Sequence, residues 1–430
     1  MFTGANFEDN NMQTQDRTAA ASSSLIPFTI AALLALTVWP GLANAQDPEP
    51  FRRDDEVAGR DFQYNELSFL HRFSYRYRPA SDWSWSRHRQ GYRGTGGSVR
   101  SDELYVEQEL RKRLELDSSL FFDFRHRVSE DFDGRYDRTL TGVGLRLRDS
   151  WSVTLLADIV GNKGDIDTHL ETAWTGEQHH LRLALVLPDT VVNSKGDVDR
   201  YSQAPYTAFA EFGWLHDSGV EYDIWFNANP HTRLERPKDS LDFAYDRYSA
   251  GTRLRMPVGG TWWLHADAAG ETSGRTWNPF PGATATDLND RSLQRKHWEL
   301  NAELHKPLHA NVDGWIGLRY FRFEERDRRP QAPLVNGSIT LRETMAHLGV
   351  VWRVRESVTL WPGLYGQFAN SRYGFPGNPA ESDNDASFRG KLAVPIEVRF
   401  ERPAVLTINP TFRLDDLRFG GANVQFEAYF

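Results

Sequence analysis

The sequence predicts an all-β fold: a single transmembrane antiparallel β-barrel of about 18 strands, with 16 strands as the alternative. Segments of about ten residues alternate apolar and polar side chains with a period of two, and helical periodicity appears nowhere with comparable strength. Aromatic residues make up 13% of the 430 residues although the mean hydropathy is -0.58, a combination expected when each strand has one apolar and one wet face. Long and short connections also alternate, which is typical of barrels with long extracellular loops and short periplasmic turns.

The N-terminal part of the chain predicts an export signal. An apolar stretch covers residues 25–38, and Ala43-Asn44-Ala45 forms an A-x-A pattern, so cleavage is expected before Gln46. The stretch is shorter than the roughly 20 residues of a membrane-spanning helix, and an uncleaved anchor is the alternative. Because residues 1–16 contain no Lys or Arg, Met12 is an alternative start. The predicted division is a signal peptide (1–45), a periplasmic N-terminal segment (46–61) and a transmembrane barrel (62–430).

The alternating segments give the strand count. In "WSVTLLADIV", for example, Trp151, Val153 and Leu155 share one face. About 18 such segments begin near residues 62, 102, 118, 137, 151, 166, 179, 203, 219, 241, 260, 293, 311, 339, 356, 387, 403 and 421. An even number of strands returns both chain ends to the same side of the membrane.

The connections between these segments differ in length on the two sides. The predicted long ones are 79–101, 188–202, 229–240, 272–292, 326–338 and 371–386, and the predicted tight turns include 148–150, 175–178, 215–219, 257–260, 353–357 and 401–404. A sheet in hydrocarbon must close on itself, because every backbone N–H and C=O group there needs a partner within the protein. The soluble alternative is a large periplasmic β-sandwich or β-helix, for which shorter strands and no regular alternation of loop length are expected.

The last nine residues, "ANVQFEAYF", place Val424, Phe426, Ala428 and Phe430 on one face. This run resembles the terminal strand of bacterial outer-membrane β-barrel proteins, and the resemblance, which is one of architecture, covers the whole mature chain. It implies a location in the bacterial outer membrane after export through the inner membrane, contact with outer-membrane lipid and lipopolysaccharide, and recognition of the last strand by the barrel assembly machinery. The strand number and the wealth of Arg and aromatic residues are also similar to those of sugar-specific and polysaccharide-export porins, although no motif diagnostic of either is present. We expect the last strand to pair with a first strand at 62–78.

The positions opposite the apolar face predict the lining of the lumen. Basic residues gather near the seam where the barrel closes, and acidic residues gather on the middle strands, so the lumen is expected to have a basic and an acidic wall with a transverse field between them. The alternative is that these charges pair across strands and plug the barrel. The predicted pore-lining residues are Arg72, Arg76, Arg111, Arg113, Arg125, Arg127, Arg146, Arg148, Arg389, Lys391, Arg399 and Arg413 on the basic wall, and Glu221, Asp223, Asp267 and Glu299 on the acidic wall.

The resulting functional prediction is a porin-like channel for passive passage of small polar or anionic solutes, including saccharides. Guanidinium groups bind carboxylates and stack on rings, and inward Trp225, Trp263, Trp361 and Tyr365 either stack on sugar faces or fill the lumen. The alternatives are a barrel scaffold that sheathes a secretion or electron-transfer partner, and an outer-membrane hydrolase. The chain has no Cys and no recognisable catalytic or metal-ligating pattern, so we expect no enzyme activity, cofactor or metal. A net charge of -9 gives no footprint for nucleic acid.

Overall fold

A computed structural model describes residues 90–100, 103–131, 134–158, 165–192, 200–203, 206–236, 241–286, 289–374, 384–400, 404–415 and 417–429. These residues lie in 21 strand segments and one short 3-10 turn at Pro333–Val335. The segments are β1 Gly91–Arg100, β2 Glu103–Glu115, β3 Leu120–Asp131, β4 Gly134–Arg148, β5 Trp151–Asp158, β6 Asp165–Thr175, β7 His179–Val192, β8 Arg200–Gln203, β9 Thr207–Leu215, β10 Glu221–Arg236, β11 Leu241–Gly259, β12 Trp262–Pro279, β13 Arg291–His309, β14 Val312–Arg328, β15 Gly337–Arg355, β16 Val358–Leu360, β17 Gly363–Gly374, β18 Asn384–Ala393, β19 Ile396–Arg399, β20 Ala404–Arg413 and β21 Phe419–Tyr429.

The segments form one closed antiparallel barrel. Segments β8 and β9 both pair with β10, β16 and β17 both pair with β15, and β18 and β19 both pair with β20, so each of these couples is one interrupted strand. The barrel therefore has 18 strands, and β1 closes it by pairing with β21. This confirms the predicted fold class.

The seam differs from the prediction. The last strand pairs with Gly91–Arg100, from Gly91 opposite Tyr429 to Ser98 opposite Ala422, and not with 62–78, which lies outside the described residues. Part of the predicted loop 79–101 is thus a strand. Its sequence, GYRGTGGSVR, has four glycines and only Tyr92 as a large apolar side chain on the outer face. Hydropathy alternation therefore gives no signal there, although backbone pairing to both neighbouring strands runs from Gly91 to Ser98.

The two ends of the barrel have different connections. Tight turns at one end, here named the short-turn end, join β4 to β5 at 149–150, β11 to β12 at 260–261 and β13 to β14 at 310–311. At the opposite end the connections are shorter than predicted, because β10 to β15 run on for 16 to 19 residues each. These strands continue beyond the apolar band, where alternation of hydropathy ends but hydrogen bonding between strands does not.

The outer surface carries the apolar band that a bilayer requires. Its exposed side chains come from strands all around the barrel and include Leu155, Leu170, Leu183, Ile224, Phe226, Leu300, Ile316, Leu318, Leu348, Leu364, Phe368, Ile408 and Val424. No helix among the described residues has the length and apolar character needed to cross a membrane.

Aromatic side chains border this band. At the short-turn end, Trp151, Trp174, His179 and Trp214 stack in succession with ring centroids 5.9 to 6.2 Å apart. Trp298 contacts Tyr320 further up the wall, at the level of Gly270. From Trp262 to Gly270, β12 extends about 26 Å along the strand at about 3.3 Å a residue. Because strands of such barrels tilt by about 35–45°, this length corresponds to a height of about 20 Å, somewhat less than the typical apolar band of about 25 Å.

Candidate functional site

The cross-strand registers place most of the predicted pore-lining residues on the inner face. They do so for Arg111, Arg113, Arg125, Arg146, Arg389, Lys391, Glu221, Asp223, Asp267 and Glu299. Arg399 and Arg413 also occupy inward positions, at the two ends of the barrel, with side chains 63% and 49% exposed. Inward Trp225, Trp263 and Tyr365 face the lumen by the same registers.

Four predicted residues are not part of this described lining. Arg72 and Arg76 lie outside the described residues. Arg127 has an inward register, opposite Glu109, but its side chain is not described. Arg148 lies beyond a register shift, opposite the outward Trp151, and is exposed beside the β4–β5 turn; the turn, rather than the strand period, sets its direction.

The predicted separation into a basic and an acidic wall is wrong. The seam arginines stand beside carboxylates: Arg93 lies 3.2 Å from Glu427, and Arg113 lies 3.2 Å from Asp123. The middle strands carry arginines that the prediction missed, among them Arg247, Arg253, Arg255, Arg291, Arg295 and Arg319. A strand count that is correct does not reveal which inward positions become neighbours, because that depends on the register of each pair of strands.

These charges form cross-strand chains. Arg125 donates hydrogen bonds of 2.8 and 3.1 Å to Glu171, crossing β4 and β5, and a third of 3.0 Å to Asp123. Arg182 Nε donates to Glu171 Oε2 at 2.9 Å, the oxygen that also accepts from Arg125, and the Arg182 guanidinium lies 3.8 Å from Glu211. Guanidinium and carboxylate groups therefore alternate along one half of the inner wall. Because their charges largely cancel, the electric field across the lumen is weaker than the sequence prediction implied.

A cavity of about 600 Å³ opens on the inner face at the short-turn end. Its lining residues come from β11 to β17, from β19 and from the β13–β14 turn. Its aromatic lining consists of Trp263, Trp315, Trp361 and Tyr365, and its cationic lining includes Arg255, Arg319, Arg353 and Arg399. Three of the four aromatic residues that the sequence predicted as inward therefore belong to one cavity, together with Trp315.

Prolines and glycines shape this part of the wall. The ladder is interrupted at Pro362 and again at Pro395, because proline has no N–H group to donate; Trp361 N instead donates to Pro395 O at 2.9 Å. The indole of Trp315 lies against Gly349 and Gly363, which face each other across β15 and β17. A Cβ atom at Gly349 would lie 2.5 Å from Trp315 Cζ2. The two glycines let the indole lie close to the barrel wall, and Trp315 is only 6% exposed although it lines the cavity.

Histidines and a glutamate meet on the cavity wall. His265 of β12 stands directly opposite Glu303 of β13, and His305 is two residues further along the same inner face. The His265 and His305 rings stack with centroids 4.1 Å apart, and His305 Nε2 lies 3.2 Å from Glu303 Oε2. His347 Nε2 approaches Glu303 Oε1 to 3.9 Å from β15.

The sequence analysis found no metal-ligating pattern and did not single out these histidines. The spacing of Glu303 and His305, two residues apart in a strand, does show that they share a face. Their approach to His265 and His347, 38 residues before and 44 after Glu303 respectively, depends on the register across β12 to β15. No local signal in the sequence carries that information.

The comparisons with known proteins concern the fold. The sequence matches no protein-family model and no curated protein. Among solved structures, the outer-membrane channel DcaP of Acinetobacter baumannii shares 11% identity at a TM-score of 0.36, with 79% of this chain and 96% of that chain covered. OccK11 of Pseudomonas aeruginosa shares 10% at 0.40, covering 78% and 93%, and OccK2 of the same organism, solved with glucuronate, shares 11% at 0.37, covering 78% and 95%. The closed 18-strand barrel confirms the predicted porin-like family resemblance at the level of architecture.

Proposed function

We propose that this protein is an outer-membrane, porin-like channel that lets small polar or anionic solutes pass passively, and that it has no enzymatic role. The observation that carries the proposal is the division of one closed barrel into an apolar outer face and a charged inner face. A barrel of 16 to 18 strands is wide enough to leave an aqueous path once side chains line it. The cross-strand ion pairs hold the charged side chains against the wall and keep them out of the centre.

The lining of the cavity at the short-turn end matches the chemistry of an acidic solute, in particular an acidic saccharide. Trp263 and Trp361 offer ring surfaces. Arg353 and Arg399 pair with Asp313 and Glu397, yet their side chains stay 49% and 63% exposed to the cavity and its mouth. A guanidinium group binds a carboxylate through two parallel N–H donors. An aromatic ring beside it fits the apolar face of a sugar, so the two together match a ring-shaped acid better than an inorganic anion.

Recording from single channels in planar bilayers tests the proposal. Refolded protein should insert and conduct, and its reversal potential in asymmetric KCl should show a preference for anions. Folded protein that inserts without conducting ions would contradict the channel and would favour a scaffold for a soluble partner. A preference for cations would contradict the anionic solute while leaving the channel in place.

A pair of charge-matched variants locates the selectivity. Replacing Arg353 and Arg399 by Gln should shift the reversal potential toward cations, since both line the cavity. The control replaces Arg413 and Arg418 by Gln as well, so that it removes the same charge; both are exposed at the opposite end of the barrel. The difference should be largest in dilute salt, because the Debye length grows to about 30 Å at 0.01 M. Equal shifts from both pairs would show that the cavity does not govern permeation.

A further inference from the structure

The cluster formed by His265, Glu303 and His305 has the composition of a metal site. One ligand atom from each of the three residues can be chosen so that all lie within 4.8 Å of one another. We propose that these three side chains bind a divalent transition-metal ion, with zinc as the best match. The site would lie on the wall of the short-turn cavity and is independent of whether the barrel conducts solutes.

The donor set decides the class of metal. Two imidazoles and one carboxylate suit zinc, copper, nickel and iron, whereas magnesium and calcium take oxygen ligands almost throughout. Zinc sites with three protein ligands leave a fourth position for water or another group, at bond lengths of about 2.0 to 2.2 Å. The three ligand atoms lie within 4.8 Å of one another, so they must move somewhat closer together to share one ion at these bond lengths.

The backbone fixes the three residues in a favourable arrangement. His265 and Glu303 are register partners on adjacent strands, and His305 follows Glu303 on the same face. Neighbours of this kind have Cβ atoms about 4.5 to 8 Å apart. Ligands on hydrogen-bonded strands of a closed barrel are held more rigidly than ligands on loops, which favours metal binding over transient contact.

A glycine brings a third imidazole close. Gly317 stands between Glu303 and His347 in the same cross-strand row, and a Cβ atom there would lie 2.5 Å from His347 Cε1 and 2.7 Å from Glu303 Cγ. Because Gly317 has no side chain, His347 can lean over it to within 3.9 Å of the Glu303 carboxylate. His347 is thus placed to occupy the fourth position or to orient Glu303.

Charged and polar side chains surround the cluster. The arginines of the cavity have carboxylate partners of their own: Arg319 with Glu299 at 2.9 Å, Arg255 with Glu221 at 3.0 Å, and Arg353 with Asp313. Glu303 has imidazoles beside it, and the Asn301 amide donates to it at 3.3 Å while also donating to Asp267 at 3.0 Å. An amide that orients a ligating carboxylate is a common outer-shell feature of metal sites.

Calorimetric titration of the folded, chelator-stripped barrel in detergent with zinc alone tests the proposal. One ion should bind per chain, and His265→Ala and His305→Ala should each weaken binding at least about tenfold, or about 1.4 kcal/mol. The matched control is His309→Ala, because His309 lines the same cavity without belonging to the cluster. Unchanged affinity in the first two variants, or an equal loss in the control, would overturn the site.

A second measurement does not depend on how the variants fold. X-ray absorption at the zinc edge of the loaded wild-type protein should show two or three imidazoles in the first coordination shell. A shell made of oxygen ligands alone would overturn the proposal, since it would mean that the ion binds to surface carboxylates. Neither measurement requires conductance, so failure of the channel proposal and failure of the metal proposal are distinguishable.

Discussion

Arg93 of β1 donates a hydrogen bond from Nε to Oε1 of Glu427 in β21, 3.2 Å away across the seam that closes the barrel. Glu427 is fully buried at 0% exposure, and Gln425 Nε2 donates to the same oxygen at 2.5 Å. The two ends of the described sheet are therefore joined by an ion pair between buried Glu427 and partly exposed Arg93, as well as by the backbone ladder.

We expect Glu427→Ala to destabilise the barrel strongly. Removing one partner of a buried ion pair costs about 3 to 5 kcal/mol, and Glu427 is the fully buried member of this pair. Urea unfolding of the protein in lipid or micelles measures this free energy. The control is Glu115→Ala, which breaks the exposed pair of Glu115 with Arg146 and should cost less than about 1 kcal/mol. Equal costs would show that the seam pair adds no stability of its own.

Strand positions could be predicted from the sequence wherever one face meets lipid. Predicted starts at 151, 179 and 241 coincide with the starts of β5, β7 and β11. The first strand was missed because Gly94 and Gly96 occupy its outward face, where side chains would otherwise have shown the period. Strand ends at the opposite end of the barrel were also missed, because hydrogen bonding continues there without an apolar face.

The site could be predicted only in part, and for a physical reason. That Arg125 and Glu221 face inward follows from the period of two. That Arg125 binds Glu171, or that Glu303 meets His265 and His347, follows from registers between strands distant in sequence. Strand register is set by the packing of entire strand faces and by turn geometry, and no short stretch of the sequence encodes it.

We expect Gly349→Ala to disturb the floor of the cavity. The added methyl group would lie 2.5 Å from the Trp315 indole and would also meet the carbonyl of Pro362, so the wall must shift. Overpacking of this kind costs about 1 to 3 kcal/mol. Thermal or urea unfolding measures the loss, and Gly270→Ala is the control because its nearest neighbour would be 3.4 Å away. If both variants are equally stable, Trp315 does not depend on the two glycines.

The β2–β3 turn should contribute stability that depends on pH. The backbone N–H of Ser119, followed by that of Leu120, donates to the Asp117 carboxylate at 2.7 Å and holds the pKa of Asp117 below its usual range. A carboxyl group with a lowered folded pKa stabilises the fold above its unfolded pKa, about 3.9. That contribution is lost as the pH falls through the folded pKa.

Urea unfolding of wild type and Asp117→Asn at several pH values measures this effect. The Asn side chain keeps an oxygen that accepts hydrogen bonds but does not titrate. The advantage of wild type over this variant should therefore be constant above about pH 5 and should shrink below about pH 3.9. A difference that stays the same down to pH 2 would show that Asp117 does not titrate differently in the folded state.

The last residue should matter for assembly and not for the folded wall. The seam ladder runs from Gly91–Tyr429 to Ser98–Ala422, and Phe430 lies beyond it and outside the described residues. If the last strand is the signal for barrel assembly, deleting Phe430 should reduce the amount of folded protein in the outer membrane of cells. Refolding of the same variant into detergent micelles, where no assembly machinery acts, should give near wild-type yield and stability. Phe430→Tyr keeps an aromatic terminus and is the matched control; normal insertion of the deletion variant in cells would contradict the assembly role.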